Sequence, residues 1–178
     1  MERAVLRSLS FFFFLLLIIC SIIPSNVKLM GRPLWHDPKK IIDFELDGKG
    51  TSQQILDIYS FSHITHGILF YFIIKYLNLF QGATEGLGAA IILETLWEIF
   101  ENTPFIINKY RQKKAYKNYK GDSIVNMIGD IILTIVGYYF AYKSPKLSII
   151  YLVVSEMLLT PLKANFLYLS FGSLIKSA

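Results

Sequence analysis

Apolar residues in this chain fall in long unbroken runs, not in the alternating or one-sided patterns of water-soluble strands and helices. Runs at about 9–23, 58–79, 83–105 and 122–142, and one from beyond Lys146 to about 159, have membrane-spanning length. The breaks between them are proline, glycine and charge. Pro24, Gly31, Pro33, Pro38, Gly48 and Gly50 interrupt the stretch after the first run, and a short turn at 78–82 separates the second from the third. Thr103-Pro104 marks the end of the third, because proline disfavours helical geometry in the residue before it. Asp122 or Ser123 is placed to cap the fourth, and Pro161 stops the fifth. The pattern predicts an all-α integral membrane protein. It is a bundle of five transmembrane helices, or six if the apolar residues 162–178 also cross; an interfacial segment is the favoured reading of that tail. The chain divides into an N-terminal transmembrane helix or uncleaved signal anchor at 1–23, a polar loop at 24–57, a four-helix membrane core at 58–161 and the C-terminal segment at 162–178.

Composition agrees with that division. The 178 residues suit one domain, 53% are hydrophobic and only 17% charged. The net charge of +5 comes from Lys and Arg placed mainly between the apolar runs. Membrane topology and anionic head groups account for that placement, so membrane lipids are the expected partners and nucleic acid is not. The lone Cys20 lies inside the first run, which excludes an intramolecular disulfide and a thiolate metal site. No small-x-small cleavage site follows that run, and Ile19 stands where a lipoprotein needs a small residue. Two orientation cues oppose each other. Alternating runs gather thirteen Lys and Arg on one side, sending the N-terminus out, whereas Arg3 and Arg7 before the first run hold it in.

The polar residues inside the apolar runs carry the candidate chemistry. Glu94, Glu98 and Glu101 fall at i, i+4 and i+7, one face of a helix. His63 and His66 share a face at i, i+3, and Asp122, Asn126 and Asp130 repeat at i, i+4 and i+8. Short connections make successive helices antiparallel, so all three sets converge near one membrane face. Ionisable groups at that depth cost roughly 2.5–3.5 kcal/mol each on insertion scales, and are expected to be paired or functional. Two histidines with several carboxylates form a donor set suited to a divalent metal such as zinc, manganese or iron. His63, His66, Glu98, Glu101 and Asp122 are the expected ligands, with Glu94 and Asp130 as catalytic groups outside the ligand sphere or moving protons. The competing reading is a buried hydrogen-bonded network that fixes packing, with the histidines paired to Glu98 or Asp122. A proton or small-solute path is a third. The basic, tyrosine-rich loop at 109–120 reads as a topology signal, or as a recruiter of an anionic lipid or phosphorylated ligand. Phosphate-cradling glycine loops, a G-x-S-x-G elbow and dinucleotide fingerprints are absent.

Several pieces together resemble a family of uncharacterised bacterial multi-pass membrane proteins, known only as a domain of unknown function. They are Gly31-Arg32, Ser52-Gln53, Asp57-x-Tyr59-Ser60-Phe61-Ser62-His63-x-x-His66-Gly67, Glu94-x-x-Trp97-Glu98-x-x-Glu101-Asn102 and Gly121-Asp122-Ser123-x-x-Asn126-x-x-Gly129-Asp130. The resemblance implies a bacterial inner-membrane protein and treats the three polar sets as one unit; it supplies no activity, substrate or cofactor. The chain departs from the family at Pro33-Leu34-Trp35-His36-Asp37, where cysteines are expected, and at Lys163-Ala164-Asn165, where Arg-Asp-Asn is expected.

Three functions follow as expectations. One is a metal-dependent enzyme of the membrane acting on a lipid or polyprenyl phosphate or ester. The second is a non-catalytic membrane protein whose polar cluster is a packing or partner-binding core. The third is a small solute or proton transporter, weakened by the lack of an inverted repeat.

Overall fold

The structure is a computed structural model that describes residues 31–80, 82–113 and 116–170. The first expected helix, with Cys20, and the end of the C-terminal segment lie outside the described residues. In chain order the elements are β1 (Ile42–Asp43), β2 (Leu56–Asp57), α1 (Ser60–Tyr76), α2 (Ala83–Glu101), α3 (Pro104–Arg111), α4 (Ile124–Lys143), α5 (Pro145–Leu159) and α6 (Phe166–Ser170). The protein is mostly helical, as the pattern predicts. β1 and β2 form a two-residue parallel ladder inside the segment expected as a polar loop, pairing Ile42 with Leu56 and Asp43 with Asp57.

Local chemistry sets the helix ends. Asp57 accepts hydrogen bonds from the backbone N–H groups of Tyr59 and Ser60, fixing the entry to α1. Asn78, at φ +50°, closes α1: its N–H reaches the Lys75 carbonyl and the Leu79 N–H reaches the Ile74 carbonyl. The run expected to continue to 105 breaks at Asn102. Thr103 is extended and its hydroxyl accepts from Ile106 N–H, so Pro104 begins a separate helix, α3. Ser123 caps α4 by accepting from Asn126 N–H. The first two N–H groups of α4, at Ile124 and Val125, donate to the carbonyls of Pro33 and Leu34. The 31–57 segment is thereby sewn onto the head of α4, with Asn126 Nδ2 donating to Gln54 O and Gln53 Nε2 to Gly121 O.

α1 packs most extensively on α4, α2 leans on both, and α5 covers the far side of α4. Gly67 and Gly137 make the α1–α4 approach close. A Cβ at Gly67 would strike the backbone at Thr134 and Tyr138, and one at Gly137 would strike the Ile64 carbonyl. Ile68, Tyr71, Ile74, Ala90, Tyr138 and Ala141 fill the half of the bundle away from the histidines.

The other half inverts the usual order. Glu94 and Glu98 are 0% and 1% exposed, whereas Met157 and Leu158 on the outside are 71% and 69% exposed. Ile73, Leu93, Leu96, Ile132, Val136 and Val153 also face outward. Among the described residues, one helix, Ile124–Lys143, is long and apolar enough to cross a membrane. The others fall short of the five expected spans for identifiable reasons: α1 and α5 have 17 and 15 residues, and α2 carries Glu85, Glu94, Glu98 and Glu101.

Candidate functional site

The first turns of α1, the last turns of α2 and the first turns of α4 meet at one end of the bundle. Glu94 of α2 reaches between the two histidines of α1, its Oε1 2.5 Å from His63 Nδ1 and its Oε2 2.8 Å from His66 Nδ1. An ionised carboxylate only accepts, so both Nδ1 atoms carry their hydrogens, and a neutral imidazole held this way presents its lone pair at Nε2. His63 is also held from behind, where the Thr134 hydroxyl donates to its carbonyl at 3.0 Å.

Two more carboxylates approach His63 without bonding it. Glu98 Oε1 lies 3.5 Å from Nδ1, and Asp130 Oδ1 of α4 lies 3.7 Å from Nε2. Both oxygens of Glu98 and Oδ1 of Asp130 are buried with no hydrogen-bond partner. A buried polar atom left this way costs about 1–3 kcal/mol, and more when charged. One donor atom from each of His63, Glu98 and Asp130 falls within 4.8 Å of the others, and the same holds for His63, His66 and Glu94. The two sets differ in kind. Distances of 2.5–2.8 Å are hydrogen bonds, whereas ligands of one tetrahedral zinc, at ~2.0–2.1 Å from it, stand roughly 3.3 Å apart. Around Glu98 and Asp130 the spacings are those of a looser set: Asp130 Oδ1 stands 3.7 Å from Nε2, the nitrogen that Glu94 leaves free, and Glu98 Oε1 stands 3.5 Å from Nδ1.

The remaining expected ligands are placed otherwise. Asp122 is engaged by Asn102 Nδ2 at 2.5 Å and by the Tyr119 hydroxyl at 2.9 Å, while its own N–H donates to Asn102 Oδ1 at 2.7 Å. Burial pushes its carboxyl above the usual range against those hydrogen bonds. Glu101 is half-buried one turn nearer the end of α2 and lines the cavity beside Tyr110. His63, His66 and Glu98 are thus in the cluster with Glu94 and Asp130, the two groups expected to act outside it, and Glu101 and Asp122 flank it.

The cluster opens into a narrow cavity of about 40 Å³, space for a few waters or a small reacting group. His63, His66, Asp122, Asn126 and Asp130 line it, along with Ser52, Asp57, Tyr119 and Phe166, which sequence reasoning did not assign to the site. Asp57 sits at its base, pushed up to about 6 by burial despite the nearby His63. In the sequence it figures only in the stretch that resembles the family, with no role attached. Phe166 comes from α6, whose N–H groups at Phe166 and Leu167 donate to Glu156 of α5, as does Asn165 Nδ2 at 2.7 Å. No local pattern announces that contact.

A family model described as "Protein of unknown function (DUF2585)" matches residues 27–175. Among curated proteins, the chain is 36% identical to a UPF0314 protein of Sphingopyxis alaskensis over 61% of this chain and 59% of that one. It is 35% identical to a UPF0314 protein of Novosphingobium aromaticivorans over 74% and 70%, and 40% identical to one of Brucella anthropi over 53% and 48%. The first and third of these matches span less than two thirds of the relative's own length. No solved structure matches the chain.

Proposed function

The chain belongs to the family described as a protein of unknown function (DUF2585), and from the site it carries we propose a bacterial inner-membrane protein that binds a divalent metal and hydrolyses a lipid or polyprenyl ester or phosphate. His63, Glu98 and Asp130 supply the metal's donors in this reading, and Glu94 holds the histidine rings from outside, the arrangement common around ligating imidazoles. The chemistry a zinc, manganese or iron ion brings there is polarisation of a carbonyl or phosphoryl oxygen and activation of water. The observation that carries the reading is the set of three buried carboxylate oxygens on Glu98 and Asp130 that have no hydrogen-bond partner, one from each residue lying within 4 Å of a His63 nitrogen. Unpaired acids in a core are costly, and a bound cation offsets that cost where packing does not.

Membrane residence is part of the same proposal. Its support is the inside-out order of the bundle, acids buried and Met157, Leu158 and Leu96 exposed. The apolar helix Ile124–Lys143 adds to it.

A packing network is the second reading, favoured by the two hydrogen bonds that already satisfy Glu94. Elemental analysis of the detergent-purified protein separates the two. Stoichiometric metal is expected in the wild type and not in Glu98→Gln or Asp130→Asn, with both variants still folded. Metal-free wild type purified without chelator, together with variants that lose stability, would move the assignment to the network.

A further inference from the structure

The polar cavity has a neighbour. A second, larger cavity of about 440 Å³ lies between α1 and α2 on the outside of the bundle, walled by apolar side chains including Leu69, Ile73, Leu93, Leu96 and Phe100. His66, Trp97 and Phe166 belong to the walls of both cavities. The His66 ring stands edge-on to Trp97 at 5.7 Å and to Phe166 at 5.3 Å between ring centres, so three aromatic rings form the partition. From His66 to Ile73 the groove follows α1 for roughly 10 Å. Its size is that of a ligand pocket, while the polar cavity beside it holds only a small group. The two volumes divide a ligand into a long apolar part and a compact reacting end.

Charge then selects the reacting end. Asp57, Glu101, Asp122 and Asp130 line the polar cavity, and no Lys or Arg does so among the described residues. The cations behind its walls are engaged elsewhere: Arg32 donates from Nη1 and Nη2 to the backbone carbonyls of Lys120 and Asn102, Arg111 Nε donates to Tyr119 O, and Lys113 Nζ lies over the Tyr168 and Tyr110 rings. Phosphate sites are built from Arg, Lys or clustered backbone N–H groups. A divalent metal there adds two positive charges, but the protein itself offers a phosphate four carboxyl groups and no cationic donor, whereas an uncharged carbonyl needs none.

Resting on the hydrolase reading above, we infer that the substrate is an uncharged long-chain carboxylic ester or amide, its chain lying in the α1–α2 groove and its carbonyl passing the His66–Trp97–Phe166 partition. Hydrolysis adds the oxygen of one water to the acyl carbon and breaks the acyl C–O or C–N bond. One proton of that water goes to the leaving oxygen or nitrogen, carried by a carboxylate of the cavity wall that is not assigned to the metal, Asp57 or Glu101.

The groove is tested by fluorescence of the full-length protein in detergent. Of its two tryptophans, Trp35 is replaced by Phe so that Trp97 reports alone. Methyl 9,10-dibromostearate is the quenching probe, with methyl palmitate and hexadecyl phosphate as competitors. Saturable quenching is expected, weakened at least tenfold in Leu93→Tyr, which crowds the groove, and unchanged in Val153→Tyr on α5. Methyl palmitate displaces the probe and hexadecyl phosphate does not. Equal or better competition by the phosphate overturns the inference, as does quenching that never saturates or ignores Leu93→Tyr. Metal content of the same samples reports on the hydrolase reading separately. Saturable ester binding by metal-free protein keeps the groove and removes the enzyme, and metal-loaded protein without saturable quenching removes the groove.

Discussion

His63 and Glu94 lie 2.5 Å apart across the α1–α2 contact, and the same carboxylate takes His66 with its other oxygen. One acid therefore sets the ring orientation of two imidazoles and directs their free nitrogens. Replacing it with Gln keeps one acceptor and turns an N–H₂ toward the second histidine. Glu94→Gln is expected to fold and to lower metal affinity about 10–100-fold, the usual cost of removing an outer carboxylate from a ligating histidine. Glu98→Gln is expected to remove stoichiometric binding. Zinc titration of chelator-stripped protein by calorimetry distinguishes these, and equal affinities in wild type and Glu94→Gln would contradict the assignment.

The α1–α4 crossing gives a second prediction. Cβ atoms at Gly67 and Gly137 would both meet backbone, which cannot swing aside as a side chain can. Gly67→Ala and Gly137→Ala should each destabilise by about 1–3 kcal/mol, the range for overpacking a filled interface. The two sites press on one crossing, so separation caused by the first relieves the second. The double variant should lose less than the sum. Thermal unfolding in detergent gives the three values, and strict additivity would show that the glycines do not share a contact.

Much of this site is legible in the sequence, for a geometric reason. His63 and His66 at i, i+3 and Glu94 and Glu98 at i, i+4 point to single helix faces, and the short 78–82 turn forces those faces to meet. Which carboxylate meets which nitrogen is not legible. Glu94, Glu98 and Glu101 share one face, and the rotation of α2 that puts Glu94 between the histidines depends on packing along its whole length. Glu101 is the last residue of α2 and stays in line with that face; the break at Asn102 starts a separate helix, α3, whose Tyr110 lines the cavity with it. The 31–57 segment has no periodicity to read. Its role comes from scattered bonds such as Asn126 to Gln54 O. Phe166 reaches the cavity through Glu156, ten residues back and on another helix. Hydropathy averages acids and leucines together, so α2 reads as an apolar run although it is apolar only on average, and one helix among the described residues, Ile124–Lys143, meets the length and composition of a span.

Asp57 supplies a pH test. Its folded carboxyl titrates at about 6, above the unfolded value of 3.8, because burial outweighs the three N–H groups that favour its charge. A group raised on folding contributes fully below the unfolded value and loses that contribution as pH rises through the folded one. Asp57 thus makes the protein less stable by about 3 kcal/mol at pH 7 than at pH 3, most of the change falling between pH 4 and 6. Asp57→Asn lacks this dependence. The stability of the wild type relative to the variant should therefore fall across that window, as measured by denaturant unfolding at fixed ionic strength. A difference that is constant with pH would show that Asp57 titrates alike in both states.

Glu156 is the anchor of the partition over the site. Its carboxylate accepts from Asn165 Nδ2, Phe166 N–H and Leu167 N–H at 2.7, 2.8 and 3.3 Å, and no other carboxylate among the described residues caps α6. Hydrogen bonds to a charged group contribute about 1.5–3 kcal/mol, far more than a five-residue helix gains by itself. Glu156→Ala should release α6 and draw Phe166 off the His66 ring. Nothing in the His63–Glu94–Glu98–Asp130 cluster touches Glu156, so metal content should not change. Acrylamide quenching of Trp97 in the Trp35→Phe background reads the opening, because Trp97 shares the wall with Phe166. Quenching should rise in Glu156→Ala and recover in part in Glu156→Gln, which keeps one acceptor. Unchanged quenching in Glu156→Ala would mean that Phe166 is held by ring contacts alone.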